Sequence, residues 1–223
     1  MDADLEPITT ALDKELDWTQ CAIVTVDDLA SAQLLNDLAA VIHDLGFVIS
    51  CAERLLIELA KEDDGGDRIV VQALWSAALV AYNRCFSTGK RTGIRHDLVG
   101  DIGLQGEVKK FHDYLTSMRN KHIAHSVNPF EASTVGAILA SDPPAVLGIA
   151  TLWMRHIVTD RQGVEQLRGL ALSLQHHAAK LADEQTALVQ AEAEAIGAAE
   201  LSRRPLIQLV APGPDEVASG RST

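Results

Sequence analysis

The sequence predicts a mainly α-helical protein: an antiparallel bundle of four to five helices with a small β-hairpin insertion. Apolar residues recur with a 3.6-residue period over several long stretches, the pattern of amphipathic helices. A Gly-Gly turn joins the first two stretches, which favours antiparallel packing. One later stretch abandons the period for β-branched residues on both sides of a proline turn, which is typical of a hairpin.

The first predicted helix opens at Val26-Asp27-Asp28, where an aspartate is a suitable N-cap, and ends in KEDDGGD. The second runs from about residue 67 to 86. A glycine-rich loop follows, STGKRTGIRHDLVGDIG, with one short turn expected near HDL. Because glycines interrupt the helical period there, the loop separates the second helix from the third.

The third predicted helix runs from residue 104 or 105 to Ala124 and is ended by Asn128-Pro129, since a residue before proline is disfavoured in a helix. A hairpin is predicted over 133–157, turning at SDPP. The fourth helix begins near Asp160, a candidate N-cap, and extends to about residue 200.

This pattern divides the chain into a flexible acidic segment at 1–25, a helical domain at 26–200 and a disordered tail at 201–223. The alternative for the tail is that RRPLIQLV serves as a short docking peptide.

Charge is distributed unevenly. The net charge of -12 argues against unspecific binding of nucleic acid by the whole chain. Residues 84–125 nevertheless carry eight basic and four acidic side chains, a local charge of +4. The basic ones are Arg84, Lys90, Arg91, Arg95, Lys109, Lys110, Arg119 and Lys121. Such a zone predicts an anion-binding face, although a solvated surface with chance clustering would look the same.

Several classes of protein find no support. Three widely spaced cysteines without a CxxC pair indicate neither a disulfide framework nor a cysteine zinc site. The opening MDADLEPITT is acidic, so no signal peptide is expected. The sequence contains no uncharged apolar run of about 18 residues, so no membrane span is expected. We therefore expect a cytoplasmic protein without a cofactor, in which Cys85 is a buried apolar residue rather than a reactive thiol.

The stretch RNKHIAHS, Arg119 to Ser126, carries the most chemistry, and three interpretations of it are open. His122 and His125 would share a helix face and could begin a metal site, but no further ligands stand at a recognised spacing. In the second interpretation, the basic residues of this last helical turn have a structural role only and stabilise the helix dipole. The third interpretation is phosphate chemistry, because guanidinium binds phosphate and imidazole moves protons. A symmetric dimer would double the set of acid and base groups.

The helical order and this motif resemble the HEPN superfamily, whose signature is Arg, a short spacer and His. Here five residues separate Arg119 from His125, and Asn120 takes the polar position after the arginine. RNKHIAHS is especially similar to the abortive-infection, or phage-resistance, branch. YNRCFSTGKR, Tyr82 to Arg91, resembles the loop of the same branch. The resemblance covers about residues 28–200 in architecture, but in motif only these two short stretches.

The resemblance implies a homodimer in which the motifs of both subunits face a shared cleft. It implies a metal-independent endoribonuclease in a phage-defence or toxin–antitoxin system, or a non-catalytic member that binds RNA or a protein such as an antitoxin. A purely structural helical dimer is the remaining alternative. Carried over to this sequence, the catalytic residues are Arg119 and His125, with Asn120 orienting them. The RNA-binding residues are Arg84, Lys90, Arg91, Lys121 and His122. The hairpin is an insertion relative to the minimal bundle.

Overall fold

A computed structural model describes residues 21–61, 66–87, 91–123, 131–142, 144–155, 159–207 and 213–216. Within these residues the protein has five α-helices and one β-hairpin, so the mainly helical class and the hairpin are confirmed. The helices are α1 (Ala32–Leu59), α2 (Arg68–Arg84), α3 (Val108–Met118), α4 (Arg161–Ile196) and α5 (Ala198–Leu201). The strands are β1 (Glu131–Ser141) and β2 (Pro144–Arg155). A 3-10 helix at His96–Gly100 occupies the predicted turn in the glycine-rich loop.

Helix boundaries follow local capping where a side chain can reach the backbone. The Asp67 carboxylate accepts hydrogen bonds from the amides of Ile69 (2.8 Å) and Val70 (3.3 Å), which starts α2. Asp160 accepts one from the Gly163 amide at 2.7 Å, so its predicted role as the N-cap of α4 is confirmed. The predicted cap of the first helix is wrong. α1 begins only at Ala32. Asp28 pairs with Arg204, and Asp27 accepts a hydrogen bond from the Thr25 hydroxyl.

Residues 41–176 form one compact unit, and the predicted apolar stripes of four helices supply its core. Leu45 of α1, Leu79 of α2, Leu115 of α3 and Leu167 of α4 are all fully buried. Each such side chain contributes on the order of 2 kcal/mol through burial. The turn capped by Asp67 before α2 and the 3-10 helix after α2 therefore belong to a unit whose helices share one core.

Residues 1–40 and 177–223 form the second unit, and within its described part residues 23–28 contact residues 204–207. Val24 and Leu206 form an isolated antiparallel β-bridge. The Ile207 amide donates to the Ile23 carbonyl at 2.9 Å, and the Arg204 guanidinium binds both oxygens of Asp28. Backbone pairing and an ion pair thus hold residues 204–207, at the start of the tail predicted to be disordered. Residues 208–212 and 217–223 lie outside the described residues, so the disorder of the tail and its docking alternative both stay predictions.

The hairpin pairs antiparallel in a defined register. Glu131 lies opposite Arg155 at the open end, and Ser141 lies opposite Pro144 at the turn. The register shifts after Ile138, which leaves Leu147 as the extra residue of a β-bulge in β2. The described side chains of its two strands are mostly exposed.

Helix α1 is long and apolar enough to cross a membrane by length and composition alone. Of its most apolar window, 39% is buried inside the fold, and core helices commonly meet the same criterion. The helix therefore does not decide the question, and the absence of a membrane span stays a prediction.

Gly66, just before α2, gives a test of the turn that joins the first two helices. Its φ is +80°, and a Cβ atom there would lie 2.4 Å from the Glu58 carbonyl oxygen. Gly103 has a similar φ of +76° but no atom within 4 Å of such a Cβ. We expect Gly103→Ala to lower the free energy of unfolding by about 1 kcal/mol through backbone strain alone. Gly66→Ala should lower it by at least about 2 kcal/mol, because a steric clash is added.

Urea denaturation of the two variants measures this difference. Equal losses of stability would show that the turn can move away from the added methyl group, and that it does not define how α1 and α2 join.

Candidate functional site

The predicted catalytic motif begins where α3 changes its winding. Residues Arg119–Ile123 continue α3 as a π-helical turn, a distortion found frequently at functional sites. Met118 is buried and anchors the turn, Arg119 is half-buried, and Asn120 is exposed. The Arg119 guanidinium donates from Nη1 to the Asn120 Oδ1 at 3.0 Å. The two residues thus form an exposed hydrogen-bonded pair.

The π-helical turn packs against α2, as α3 itself does. His112, near the start of α3, lies level with Tyr82 at the far end of α2. Since the later turn still contacts α2, α3 must run back along it, antiparallel. Arg119 then stands about 10 Å further along α3 than His112, at 1.5 Å per residue.

Two of the predicted RNA-binding residues, Arg84 and Arg91, bind the same carboxylate, that of Asp44 in α1. Asp44 is 4% exposed, and its two oxygens bind Arg84 Nη2 at 2.8 Å and Arg91 Nη1 at 3.0 Å. Arg91 also donates from Nη2 to the Arg84 carbonyl at 2.6 Å. The Arg91 side chain is only 15% exposed, whereas that of Arg84 is 60% exposed. Arg91 therefore holds the loop onto α1 and α2, and Arg84 retains a solvent-facing guanidinium edge.

The remaining predicted site residues are placed as follows. Lys121 is exposed in the π-helical turn, and the backbone of His122 belongs to the same turn. Lys90 and His125 lie outside the described residues. The structure thus brings Arg119 together with Asn120, and Arg84 together with Arg91.

A buried cluster that the sequence analysis missed lies between α2, α3 and the 3-10 helix. The Tyr82 hydroxyl lies 2.7 Å from His112 Nδ1, and His112 Nε2 lies 2.8 Å from His96 Nδ1. Tyr82 and His112 are almost fully buried, and His96 is exposed. Phe86 packs against both imidazoles, with ring centroids 5.2 Å from His96 and 4.6 Å from His112. One sequence signal could have indicated that His112 is buried. His112, Leu115 and Met118 follow one another at intervals of three residues, which places His112 on the buried face of α3.

Burial keeps the inner members of this cluster uncharged. It lowers the pKa of His112 to about 4, and the neighbouring His96 acts in the same direction. Burial also raises the pKa of the Tyr82 hydroxyl far above its ordinary value. At neutral pH the cluster is therefore a phenol and a neutral imidazole, connected by hydrogen bonds to an exposed imidazole.

The direction of these hydrogen bonds follows from the donor count. If Tyr82 donates to His112 Nδ1, His112 Nε2 carries its ring proton and donates to His96 Nδ1. The reverse direction would require a second acceptor for the Tyr82 hydroxyl, and the described part of the chain offers none. When neutral, His96 then carries its own proton on Nε2. Chemically, the cluster fixes the His96 ring and presents an N–H donor beyond it.

His112 and Arg119 lie on the same side of α3. Arg119 follows His112 by seven positions, which returns the helix to within about 20° of its starting direction. The face of α3 that supports His96 is therefore continuous with the face that ends at the Arg119 and Asn120 pair. At the end of this face, the Arg119 guanidinium and the Asn120 amide are suited to an anionic ligand. His112 is buried and already bound to Tyr82 and His96, so it acts only through His96.

Other chemistry finds less support. Cys85 is fully buried, and burial raises the pKa of its thiol to about 12, so the prediction of a buried apolar cysteine is confirmed. Within the described ranges, no group of three or more His, Cys, Asp or Glu side chains could hold a metal ion. The metal interpretation of the motif also involves His125, which lies outside the described ranges, so it stays a prediction.

Fold and site define a helical-bundle protein with a β-hairpin insertion and a candidate anion-binding face on α3. No protein-family model, curated protein or solved structure matches this chain. Any assignment of function must therefore be argued from its own residues.

Proposed function

We propose that this protein is a cytoplasmic, HEPN-like RNA-binding protein and a metal-independent endoribonuclease of a phage-defence or toxin–antitoxin type system. The observation that carries the proposal is the Arg119 and Asn120 pair in the π-helical turn that ends α3. It stands in the Arg-x5-His motif, within a bundle of the element order that the resemblance implies.

The proposed reaction is an attack by an RNA 2′-hydroxyl on the adjacent phosphorus. His125 takes the hydroxyl proton, and the new O–P bond forms as the bond to the 5′-oxygen breaks. A proton delivered to that oxygen completes the step and leaves a cyclic phosphate and a free 5′-hydroxyl. Arg119 binds the phosphorane oxygens, where a guanidinium stabilises developing charge, and Asn120 keeps it aimed there.

In this mechanism each motif contributes His125 as one proton-transfer group, whereas the reaction needs both a base and an acid. We propose that a second copy of the chain supplies the other group in a symmetric dimer. Arg84 and Lys121 would contact phosphates on either side of the cleavage point. Arg91 would act mainly through the loop, because Asp44 already occupies it.

Cleavage of a labelled RNA in the presence of EDTA tests the proposal. We expect Arg119→Ala and His125→Ala each to lower the cleavage rate by about 100-fold, as loss of a proton-transfer or charge-stabilising group does. Asn120→Ala should have a smaller effect, because it removes only the orientation of Arg119. Arg161→Ala is the matched control, since its guanidinium pairs with Glu165 on an exposed face of α4.

Activity that EDTA abolishes, or that survives both motif variants, would exclude this mechanism. Binding without cleavage would leave the non-catalytic alternative. In that case the affinity should fall steeply with salt, because phosphate contacts release counterions, and Arg84→Ala should make that dependence shallower.

A further inference from the structure

The β-hairpin is the most unusual surface of the protein, because it exposes large apolar side chains along its whole length. Nine of them are between 48% and 68% exposed. They are Val135, Ile138, Leu139, Val146, Leu147, Ile149, Leu152, Trp153 and Met154. An isolated two-stranded hairpin is marginally stable in water, and an exposed apolar patch of this size marks an interaction surface.

The register sorts these side chains onto two unequal faces. Residues that lie opposite each other share a face, so Val135 with Thr151, Ala137 with Ile149, Leu139 with Val146 and Ser133 with Trp153 form one face. We call this the Trp153 face. The opposite face carries Ile138, Leu152 and Met154 among small residues such as Gly136, Gly148 and Ala150. The Trp153 face is therefore the bulkier and more continuous apolar surface.

We propose that the Trp153 face is where two copies of this chain associate, by face-to-face packing of their hairpins. The inference deepens the proposed function, because it names the surface that holds the symmetric dimer together. It rests on that dimer, but it does not depend on whether the dimer cleaves RNA. Its five large side chains are Val135, Leu139, Val146, Ile149 and Trp153.

Charge identifies a second copy as the occupant. The chain carries a net charge of -12, so two copies repel each other over most of their surfaces. Between Glu131 and Arg155, by contrast, only Asp142 at the tip is charged. A two-fold interface places the same patch on both partners, and an uncharged apolar patch is complementary to itself.

The same composition argues against other occupants. Between Glu131 and Arg155 at the open end, the Trp153 face has no cation for RNA phosphates or for an anionic lipid surface. Insertion into a bilayer would leave the outer backbone groups of both strands without partners, which a membrane interior does not tolerate.

The area is sufficient for a specific dimer. From their exposed fractions, the five large side chains of the face offer on the order of 600 Å² per copy, given about 150–250 Å² for a full large side chain. Specific interfaces start at about 1,200 Å² summed over both partners. Two facing hairpins would pack about 10 Å apart, as sheets do.

Neighbouring residues on β2 provide a matched pair of variants. Trp153 and Leu152 are 64% and 65% exposed but point to opposite faces. We expect Trp153→Lys to shift the protein from dimer to monomer in sedimentation at micromolar concentration, with Kd raised at least about 100-fold. Leu152→Lys should leave the dimer intact, and Val135→Lys should repeat the effect of Trp153→Lys from the other strand.

Far-UV circular dichroism keeps the test interpretable. Because the three substituted side chains are between 64% and 68% exposed, all three variants should melt with the helix signal of the original protein. A monomeric original protein, equal effects of Trp153→Lys and Leu152→Lys, or a dimer that survives both Trp153→Lys and Val135→Lys would each overturn the proposal.

Discussion

Replacing Asp44 by alanine is expected to lower the free energy of unfolding by about 3 kcal/mol, the lower end of the loss found when one partner of a buried ion pair is removed. Asp44 is 4% exposed and binds two guanidinium groups that come from the end of α2 and from the glycine-rich loop. Without it, Arg91 would keep a charge in a site where only 15% of its side chain reaches solvent. The lower end applies because Arg84 is mostly exposed and can recover hydration.

The matched control is Glu53→Ala on the same helix. Glu53 also binds an arginine, Arg168, at 2.9 Å, but both side chains are about half exposed. Such a pair is worth less than about 1 kcal/mol. Guanidinium chloride denaturation of both variants measures the difference. Similar losses would show that Asp44 is solvated and that the loop is held by other contacts.

Acidification from pH 6.5 to pH 4 is expected to destabilise the protein through His112. Its pKa is lowered from the ordinary 6.5 to about 4 in the folded protein, so the unfolded chain binds the proton more strongly. Stability is therefore full above pH 6.5 and is lost as the pH falls towards 4. The loss is on the order of 3 kcal/mol, since each unit of pKa difference corresponds to about 1.4 kcal/mol.

His112→Phe tests the assignment, with His43→Gln as the control at an exposed position of α1. The phenylalanine variant should be less stable at pH 7, because Tyr82 and His96 lose their partner. Between pH 6.5 and pH 4.5 its free energy of unfolding should change less than that of the original protein. An unchanged pH dependence in His112→Phe would show that another group titrates in this window.

Much of the architecture could be predicted because helix and hairpin signals are local. The 3.6-residue period of apolar residues predicted α1, α2 and α4. The Asp160 cap predicted the start of α4, and the proline turn predicted where the two strands of the hairpin meet. The start of α1 was misplaced because Asp27 and Asp28 have the chemistry of a cap. Asp28 instead binds an arginine 176 residues away.

The candidate site was predictable only as a motif. RNKHIAHS indicated phosphate chemistry through its residue types, and the Arg119 and Asn120 pair is an adjacent contact that sequence can suggest. The histidine cluster was not predictable in this way. Tyr82 and His112 are 30 residues apart, and only the antiparallel packing of α3 on α2 brings them within hydrogen-bond distance.

By itself, then, the sequence determined the period of the helices, the turns between them, the hairpin and the cationic motif, because these depend on residues a few positions apart. The tertiary structure decided which charged side chains are bound in ion pairs and which face the solvent. It paired Arg91 with Asp44, 47 residues earlier, and it joined the buried Tyr82 and His112 to the exposed His96 by hydrogen bonds. It also left the large apolar side chains of the hairpin exposed. These outcomes depend on which helix faces meet, and that is a property of the assembled core.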